Sequence, residues 1–341
     1  MLQVKNETPF VPGLSVLPDL DGVDTLYVSV KATFEIGAHG VRVAEKQLPV
    51  VPADEPWGKP GESSVRYAGE VHPLKPATDV VLVGDAHAPG GKPASKFGVL
   101  FSVGRLKKTI AVFGDRKWKA GLFGLTPSEP VPTVRVPLVW ERAYGGRHDL
   151  GEGRFVAEMR NPVGVGFRGK RSASEMKGTP LPNVEELHHL IVSVSDRPSP
   201  AGVGFVGPGW QPRASFAGTY DAQWMEERAP YFPADFDPRF FQAAPADQVY
   251  PGYLQGGEPV QIQNAAPVGV QRFALPTCQF EVAARIAGKV EVPVMRIETL
   301  LLEPDRGRFS LLWRGAVSCD KRALRVEEVL VRLQTLKGVE G

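Results

Sequence analysis

The sequence predicts a mainly β protein: two β-rich lobes, sandwich or barrel-like, joined by a loop-rich centre with short helices and followed by a C-terminal helix. One observation is composition. The 341 residues include 37 Gly and 32 Pro, spread along the chain. Together they make up about a fifth of the chain, whereas the usual combined share is about 12%. Because proline is poorly tolerated inside helices, this composition favours short strands and structured turns. The other observation is alternation of apolar and polar residues near both ends of the chain.

The first predicted segment, residues 1–145, contains the clearest strand signals. The stretch "TLYVSVKATFEI" (residues 25–36) alternates with period 2, which predicts a strand with one buried face. The shorter apolar run "DVVLVGDA" is typical of a strand buried on both faces. The runs "KFGVLFSV" and "KTIAVFGD" flank "GRLKK" and predict a hairpin.

The central segment, residues 146–260, is rich in Gly, Pro, Arg and aromatic residues. The stretch "TYDAQWMEER" predicts a short helix with Thr219 or Asp221 as the N-cap, and "DPRFFQAA" predicts another with Asp237 in that position. In "NVEELHHL", Asn183 begins a capping-box spacing and predicts a third helix.

The last segment, residues 261–341, returns to strands. "CQFEVAARI" alternates, and "ETLLLE" and "RFSLLWRGAV" flank "PDRG" as a second hairpin. Val326, Val329, Leu330 and Leu333 then follow i, i+3, i+4, i+7 spacing, which predicts the C-terminal helix. The pattern leaves open whether the three segments are separate domains or one continuous domain.

Charge and targeting signals narrow the classes of function. The chain has 40 Lys and Arg against 38 Asp and Glu, a net charge of +2, and no dense basic run, so neither a nucleic acid nor a membrane surface is an expected partner. The absence of a signal pattern and of an apolar run of about 18 residues predicts a cytoplasmic protein. Cys278 and Cys319 are predicted to be reduced structural thiols. A disulfide between them is the alternative if their strands are neighbours.

Two short motifs resemble nucleotide-binding loops. "GVGFRG" (164–169) and "GVGFVG" (202–207) match GxGxxG, and Lys170 gives the first a near match to a phosphate-binding loop. Neither lies between a strand and an amphipathic helix, so both are predicted to be turns. The six histidines show no metal-ligand spacing. The sequence therefore predicts no cofactor and no metal.

The stretch "GTYDAQWMEERAPYFPADFDPRFF" places acids among aromatic residues. Asp235 and Asp237, with Asp221 nearby, could act as an acid/base pair of a hydrolase that acts on cell-wall or sugar substrates. However, Asp237 before a proline is typical of a helix N-cap, and neighbouring arginines can neutralise these acids, which favours a structural network of ion pairs.

The same region supplies candidates for binding a protein partner. Tyr, Trp, Phe and Arg are enriched at protein interfaces, although aromatic residues more often belong to a core. The candidate partner-binding residues are Arg213, Tyr220, Trp224, Arg228, Tyr231 and Phe232.

Several long phrases, in their order and spacing, resemble one known family. They include "NETPF", "HPLKPATDVVLVGDAHAPGG", "PLVWERAYGG", "NPVGVGF", "WQPRASFAGTYDAQWMEERAPYFPADFDPRFFQAAPADQ" and "LQGGEPVQI". The sequence is similar, over about residues 5 to 315, to the domain-of-unknown-function family encoded in bacterial type VI secretion loci.

The resemblance implies a cytoplasmic adaptor or chaperone that holds a toxin effector and helps to load it on the secretion spike. The implied partners are the effector, a PAAR-type tip protein and a VgrG-type spike protein. The resemblance implies no catalytic residues. A hydrolase and a structural component of the secretion apparatus are the alternative functions.

Overall fold

The computed structural model describes residues 3–122 and 124–340. Strands dominate these ranges, so the predicted fold class, mainly β with short helices, is confirmed. The strands are β1 Gln3–Glu7, β2 Val11–Pro18, β3 Asp24–Ile36, β4 Val41–Val43, β5 Glu55–Pro56, β6 Val65–Tyr67, β7 Asp79–Leu82, β8 Asp85–His87, β9 Lys96–Val103, β10 Leu106–Phe113, β11 Trp118–Gly121, β12 Gly124–Pro127, β13 Arg135–Pro137, β14 Tyr144–Gly145, β15 Arg147–Gly151, β16 Arg154–Ala157, β17 Val165–Gly166, β18 Val184–Glu186, β19 Pro259–Gln263, β20 Val270–Ala274, β21 Thr277–Ile286, β22 Lys289–Glu291, β23 Arg296–Glu303, β24 Arg308–Ser318 and β25 Val326–Lys337.

Helical structure in the described ranges is short. The α-helix α1 spans Ala222–Glu227. The 3-10 turns span Pro89–Gly91, Trp140–Arg142, Ser174–Met176, Arg213–Phe216, Pro238–Phe241, Ala246–Gln248, Pro304–Arg306 and Asp320–Arg325. Among the described residues, no helix has the length and apolar character needed to span a membrane.

The largest sheet has six strands in the order β2-β3-β24-β23-β7, with β4 paired to β3. β3 and β24 are antiparallel neighbours, and β7 runs parallel to β23. Strands from the first and last predicted segments therefore lie side by side in one sheet. Both predicted hairpins, β9–β10 and β23–β24, are confirmed.

Two further sheets complete the framework. One has the order β18-β10-β9-β19-β20 and the other β1-β25-β21-β22. All three sheets contribute to the main hydrophobic core. There, Phe309 of β24 stacks on Phe273 of β20 at a ring-centroid distance of 5.0 Å, and Trp313 meets Phe280 of β21 edge to face at 5.2 Å.

Strand β3 differs from its prediction because both of its faces are buried. The polar face is covered by the connection that follows β4. Thr33 accepts a hydrogen bond from the backbone nitrogen of Leu48 at 3.1 Å, and the Lys31 ammonium donates to both Glu70 oxygens at 2.7 and 2.9 Å. Period 2 correctly identified the strand, but it could not show that polar partners cover its second face.

The predicted C-terminal helix is wrong. Val326, Val329, Leu330 and Leu333 lie on β25, which pairs with β1 on one side and β21 on the other. This segment forms a strand in spite of its helical periodicity, because it lies between two other strands of a sheet. Its β-branched valines also favour a strand.

A β-bulge explains the misleading spacing. Against β21, Glu327 is an extra residue without a partner of its own in the register. Because a bulge shifts the alternation by one residue, Val326 and Val329 are both buried although they are three positions apart. Val331 then follows at ordinary strand spacing and is also buried.

The helix predicted from "NVEELHHL" is also wrong, since Val184–Glu186 form β18 on the edge of the five-stranded sheet. Asn183 does not cap a helix; its side chain donates to the backbone oxygen of Phe113 at 3.1 Å. Glu185 is buried and pairs with Arg116. The residues with capping-box spacing therefore belong to β18 and to the position before it.

The two cysteines are free thiols, as predicted. Cys319 is buried, and Cys278 packs partly against the main core. Burial raises the pKa of Cys278 to about 12, which makes this thiol unreactive at neutral pH.

A network of buried charges lies beside the six-stranded sheet. Arg314 of β24 is 1% exposed and donates to Glu298 at 3.1 Å, to the backbone oxygen of Pro73 at 3.4 Å, and to the backbone oxygen of His72. Glu298 is the extra residue of a bulge in β23, which turns its carboxylate toward Arg314 and Lys75. The sheet thereby holds the segment that precedes β7.

Lys75 extends this network into the central segment. Its backbone nitrogen donates to Glu298 at 2.8 Å, and its ammonium donates to Asp79 at 2.7 Å and Thr299 at 3.0 Å. The same Asp79 oxygen accepts from the backbone nitrogen of Ala243 at 2.8 Å. Buried charges require such partners, because removing them from water is otherwise too costly.

His72 completes the network as a neutral ring. It stacks on Phe241 at a centroid distance of 5.3 Å and an interplanar angle of 7°. Burial lowers the pKa of His72 well below its usual value, and the positive charges of Lys75, Arg314 and Arg213 lower it further.

Removing Arg314 should destabilise the fold strongly. The Arg314→Met variant leaves the Glu298 carboxylate buried beside fewer partners, so we expect a loss of about 3–5 kcal/mol in the free energy of unfolding. Arg332, which pairs with Glu7 and Glu281 on an exposed face, is the matched control, and Arg332→Met should cost at most about 1 kcal/mol. Urea unfolding measures both; equal losses would contradict the central role of Arg314.

His72 should make stability depend on pH. Its pKa is lowered in the native state, so below about pH 6.5 the unfolded chain binds more protons and stability falls toward acid, by at most about 1.4 kcal/mol per pH unit. The measurement is the difference in unfolding free energy between wild type and His72→Gln from pH 8 to 5. That difference should shrink or reverse toward acid, whereas His188→Gln, at an exposed site, should leave the pH profile unchanged.

Candidate partner-binding site

Residues 218–241 form an aromatic arm at the end of the six-stranded sheet that carries the β2–β3 turn. The arm contains α1 and the 3-10 turn Pro238–Phe241, so both helices predicted there are confirmed. Asp221 is the N-cap of α1, since its carboxylate accepts from the backbone nitrogen of Trp224 at 2.9 Å. Asp237 is the N-cap of the 3-10 turn and accepts from the backbone nitrogen of Arg239 at 2.9 Å.

The two ends of the arm are tied together. Thr219, the alternative N-cap, instead donates to Asp235 through its backbone nitrogen at 2.9 Å and its hydroxyl at 2.7 Å. The indole nitrogen of Trp224 donates to the backbone oxygen of Tyr231 at 2.8 Å. These bonds fix the loop that carries α1.

The arm also docks on the β2–β3 turn. Arg228 donates to the backbone oxygen of Phe232 at 2.9 Å and to that of Leu20 at 3.3 Å. The ring of Tyr231 lies against Gly22, whose φ is +81° and where a Cβ atom would come within 3.1 Å of the ring. Only glycine suits this conformation and this contact.

Phenylalanine rings form a small core at the base of the arm. Phe232, Phe236, Phe240 and Phe241 contact one another at centroid distances between 4.4 and 5.9 Å. Through Phe241, this core stacks on His72 of the buried network. The arm is therefore anchored to the sheet by both packing and charge.

Large side chains remain exposed on the outside of the arm. Tyr220 is 55% exposed, Met225 65% and Tyr231 43%. Tyr220 packs edge to face on Trp224 at 4.7 Å, which limits its freedom. A rigid backbone that presents exposed aromatic and methionine side chains is typical of a protein-binding surface.

The candidate partner-binding residues divide between two roles. Tyr220 and Tyr231 are exposed on the arm, whereas Trp224, Arg228 and Phe232 are partly buried and hold its shape. The sequence reasoning missed Met225. Its position on the solvent side of a short helix between Tyr220 and Tyr231 was the available signal.

Arg213, the sixth candidate, lines a groove beside the arm. The groove has a volume of about 640 Å³. It donates to the backbone oxygens of Phe240 at 2.7 Å and Val206 at 2.8 Å, and burial lowers its pKa. Within residues 3–122 and 124–340, no carboxylate forms an ion pair with it. The groove walls include Trp140, Phe216 and other apolar side chains.

Lys108 lies in the same groove, which sequence reasoning did not find. Its ammonium donates to Glu186 at 2.6 Å and Asp247 at 2.5 Å. Burial would lower the pKa of Lys108, but the bonds to these carboxylates outweigh burial and raise it. Since the three residues lie far apart in the sequence, no local pattern could predict their meeting.

Asp235 and Asp237, the acids of the hydrolase hypothesis, both have structural partners. Hydrogen bonds from Thr219 lower the pKa of Asp235, and the bond from Arg239 lowers that of Asp237. A general acid needs a raised pKa so that it holds a proton near neutral pH. The geometry therefore suits helix capping and loop closure.

Asp85, His87 and Asp305 form a cluster whose ligand atoms lie within 4.8 Å of one another. His87 bonds Asp305, and Asp85 pairs with Arg135 across the β8–β13 ladder. The Arg135 guanidinium occupies one carboxylate of the cluster, so the arrangement serves as an ion-pair network. Asp305 follows the others by some 220 residues, which explains why no spacing signal exists.

The comparisons with known proteins identify a family. A family model described as an uncharacterized protein conserved in bacteria, DUF2169, matches residues 21–314. The chain belongs to this family. No curated protein and no solved structure matches it. The match includes the whole arm and groove and ends before β25.

The acids of the arm should prove structural when neutralised. Asp235→Asn and Asp237→Asn weaken the bonds to Thr219 and Arg239, so each variant should melt at a lower temperature than wild type by differential scanning fluorimetry. Glu226→Gln, an exposed position of α1, is the matched control and should melt like wild type. Unchanged melting of both Asp variants would contradict the structural role and return attention to catalysis.

Proposed function

We propose that this protein is a non-enzymatic adaptor or chaperone that binds a type VI secretion toxin effector and helps to load it onto the VgrG/PAAR spike. The resemblance of the phrases quoted above to proteins encoded in type VI secretion loci supports the secretion context. The aromatic arm supports the binding role.

The exposed face of the arm is the observation that carries the proposal. Tyr220 and Met225 are more than half exposed, yet hydrogen bonds and phenylalanine packing hold the backbone beneath them. Burying such side chains against a partner costs little conformational entropy, because the backbone is already ordered. Exposed apolar side chains on a rigid support are where binding energy concentrates.

The partners of this surface are the toxin effector, the PAAR-type tip protein and the VgrG-type spike protein. The groove beside the arm adds apolar walls and Arg213 to this region. We assign the cytoplasm as the place of action, because an adaptor must meet its effector before export.

Hydrolysis by Asp235 and Asp237 is the less favoured alternative, since both carboxylates accept structural hydrogen bonds and both have lowered pKa values. A structural component of the secretion apparatus is the other alternative. It would be found in sheared, secreted needle fractions, whereas an adaptor stays in the cell.

The first test is capture of partners by the tagged protein from its native bacterium, with mass spectrometry of proteins that co-purify in near-stoichiometric yield. We expect a toxin, a PAAR-type tip or a VgrG-type spike. With the purified partner, the double variant Tyr220→Ser/Met225→Ser should bind at least about tenfold more weakly, because two exposed anchors are removed.

The matched control is Val192→Ser/Val268→Ser, two exposed apolar side chains outside the arm, which should bind like wild type. Recovery of neither a toxin nor a spike component would contradict the adaptor function. Equal binding by both double variants would place the interface away from the arm.

A further inference from the structure

Strand β22 is a free edge of the four-stranded sheet. It pairs with β21 on one side, and no other strand pairs with it within the described ranges of the chain. Ala287 and Gly288 form the two-residue turn of this hairpin with φ of 50° and 77°, as in a type I′ turn. The edge is thus well defined in register.

The register shows which backbone groups face outward. Ile286 pairs with Lys289, next Arg285 with Val290, and then Ala284 with Glu291. Next to a two-residue turn, the first pair exchanges hydrogen bonds and the next pair does not. The backbone N–H and C=O of Val290 therefore point away from β21, toward the open edge.

Apolar side chains are exposed at alternate positions along β22 and the segment that follows it. Val290 is 58% exposed, Val292 71% and Val294 70%, whereas Pro293 between the last two is buried. Exposed edge strands with apolar side chains readily pair with another strand. Proline lacks an N–H, but Pro293 is out of phase with the outward groups, so it leaves them intact.

The charges that flank Val290 in one copy of the chain are complementary to the same charges in an antiparallel second copy. Lys289 and Glu291 are both exposed, and neither forms an ion pair with any described residue. If two copies of β22 pair antiparallel about Val290, each Lys289 lies opposite the Glu291 of the other copy. Opposite charges at directly facing positions stabilise such a pair.

We propose that β22 mediates a two-fold symmetric homodimer, in which two copies of this chain pair edge to edge about Val290 and join their four-stranded sheets into one. The two Val290 residues exchange backbone hydrogen bonds at the symmetry axis. Val290 and Val292 of both copies form an apolar strip on one face, and two Lys289–Glu291 pairs lie on the other. This assembly is independent of the proposed adaptor function.

A charge-swap series tests the pairing on the full-length chain. Analytical ultracentrifugation should find a species of twice the chain mass. Lys289→Glu places two glutamates opposite one another at both facing positions, and Glu291→Lys places two lysines there. Each single variant should raise the dimer dissociation constant by about tenfold or more, and the double variant Lys289→Glu/Glu291→Lys should restore the wild-type value.

The controls are Glu45→Lys and Lys46→Glu, the same charge changes at adjacent exposed positions after β4, which should leave the dimer unchanged. Circular dichroism melting checks that all variants fold. A chain that stays monomeric at about 100 µM, a dimer insensitive to the single swaps, or failure of the double variant to restore association would overturn the proposal. Open-ended oligomers would do the same, because they require a head-to-tail contact.

Discussion

The structure depends on the burial of charged side chains around Arg314. A guanidinium that is 1% exposed holds Glu298 on the adjacent strand and backbone oxygens of the segment before β7, while Lys75 carries the connection to Asp79. Each charge is tolerated only because the others are in place. The beginning, middle and end of the chain contribute to this network through Lys75, Ala243 and Arg314, which fixes how the three segments meet.

The arm inherits its rigidity from that network. Phe241 stacks on His72, and the backbone nitrogen of Ala243 donates to Asp79, so the residues that follow the arm are fixed to the sheet. Thr219 and Asp235 then close the loop from the other side. An exposed surface that is held in this way presents Tyr220 and Met225 in one arrangement, which a loop of the same composition without these ties would not do.

Local patterns identified much of the framework. Alternation at residues 25–36 predicted β3, and turn residues predicted both hairpins, because these signals act between neighbours in sequence. The same logic failed where a bulge intervened: the extra residue Glu327 gave β25 the spacing of a helix. The helix predicted to begin at Asn183 was wrong for a related reason. The Asn183 side chain bonds the backbone of Phe113 next to β18, a strand that pairs with β10.

The site was predicted in part for similar reasons. Asp221 and Asp237 cap helices that begin one residue later, so their roles can be found from local sequence. The pairing of Thr219 with Asp235 crosses 16 residues, and that of Lys75 with Thr299 crosses 224. No periodicity reports contacts of this range. The aromatic and arginine-rich composition of the stretch supplied the region of interest, but the geometry separated exposed Tyr220 from the supporting roles of Trp224 and Arg228.

The pairing of β3 with β24 also has a consequence for biosynthesis. Residues 24–36 leave the ribosome early, but their neighbours at 308–318 follow only after about 15–60 s at ordinary rates of translation. Until then, the edge of β3 that pairs with β24 has no partner strand. β25, the partner of β1, has also not yet been synthesised. The nascent chain therefore exposes this strand edge while it is incomplete, and the prolines spread along the chain, which resist extended pairing with other chains, suit that interval.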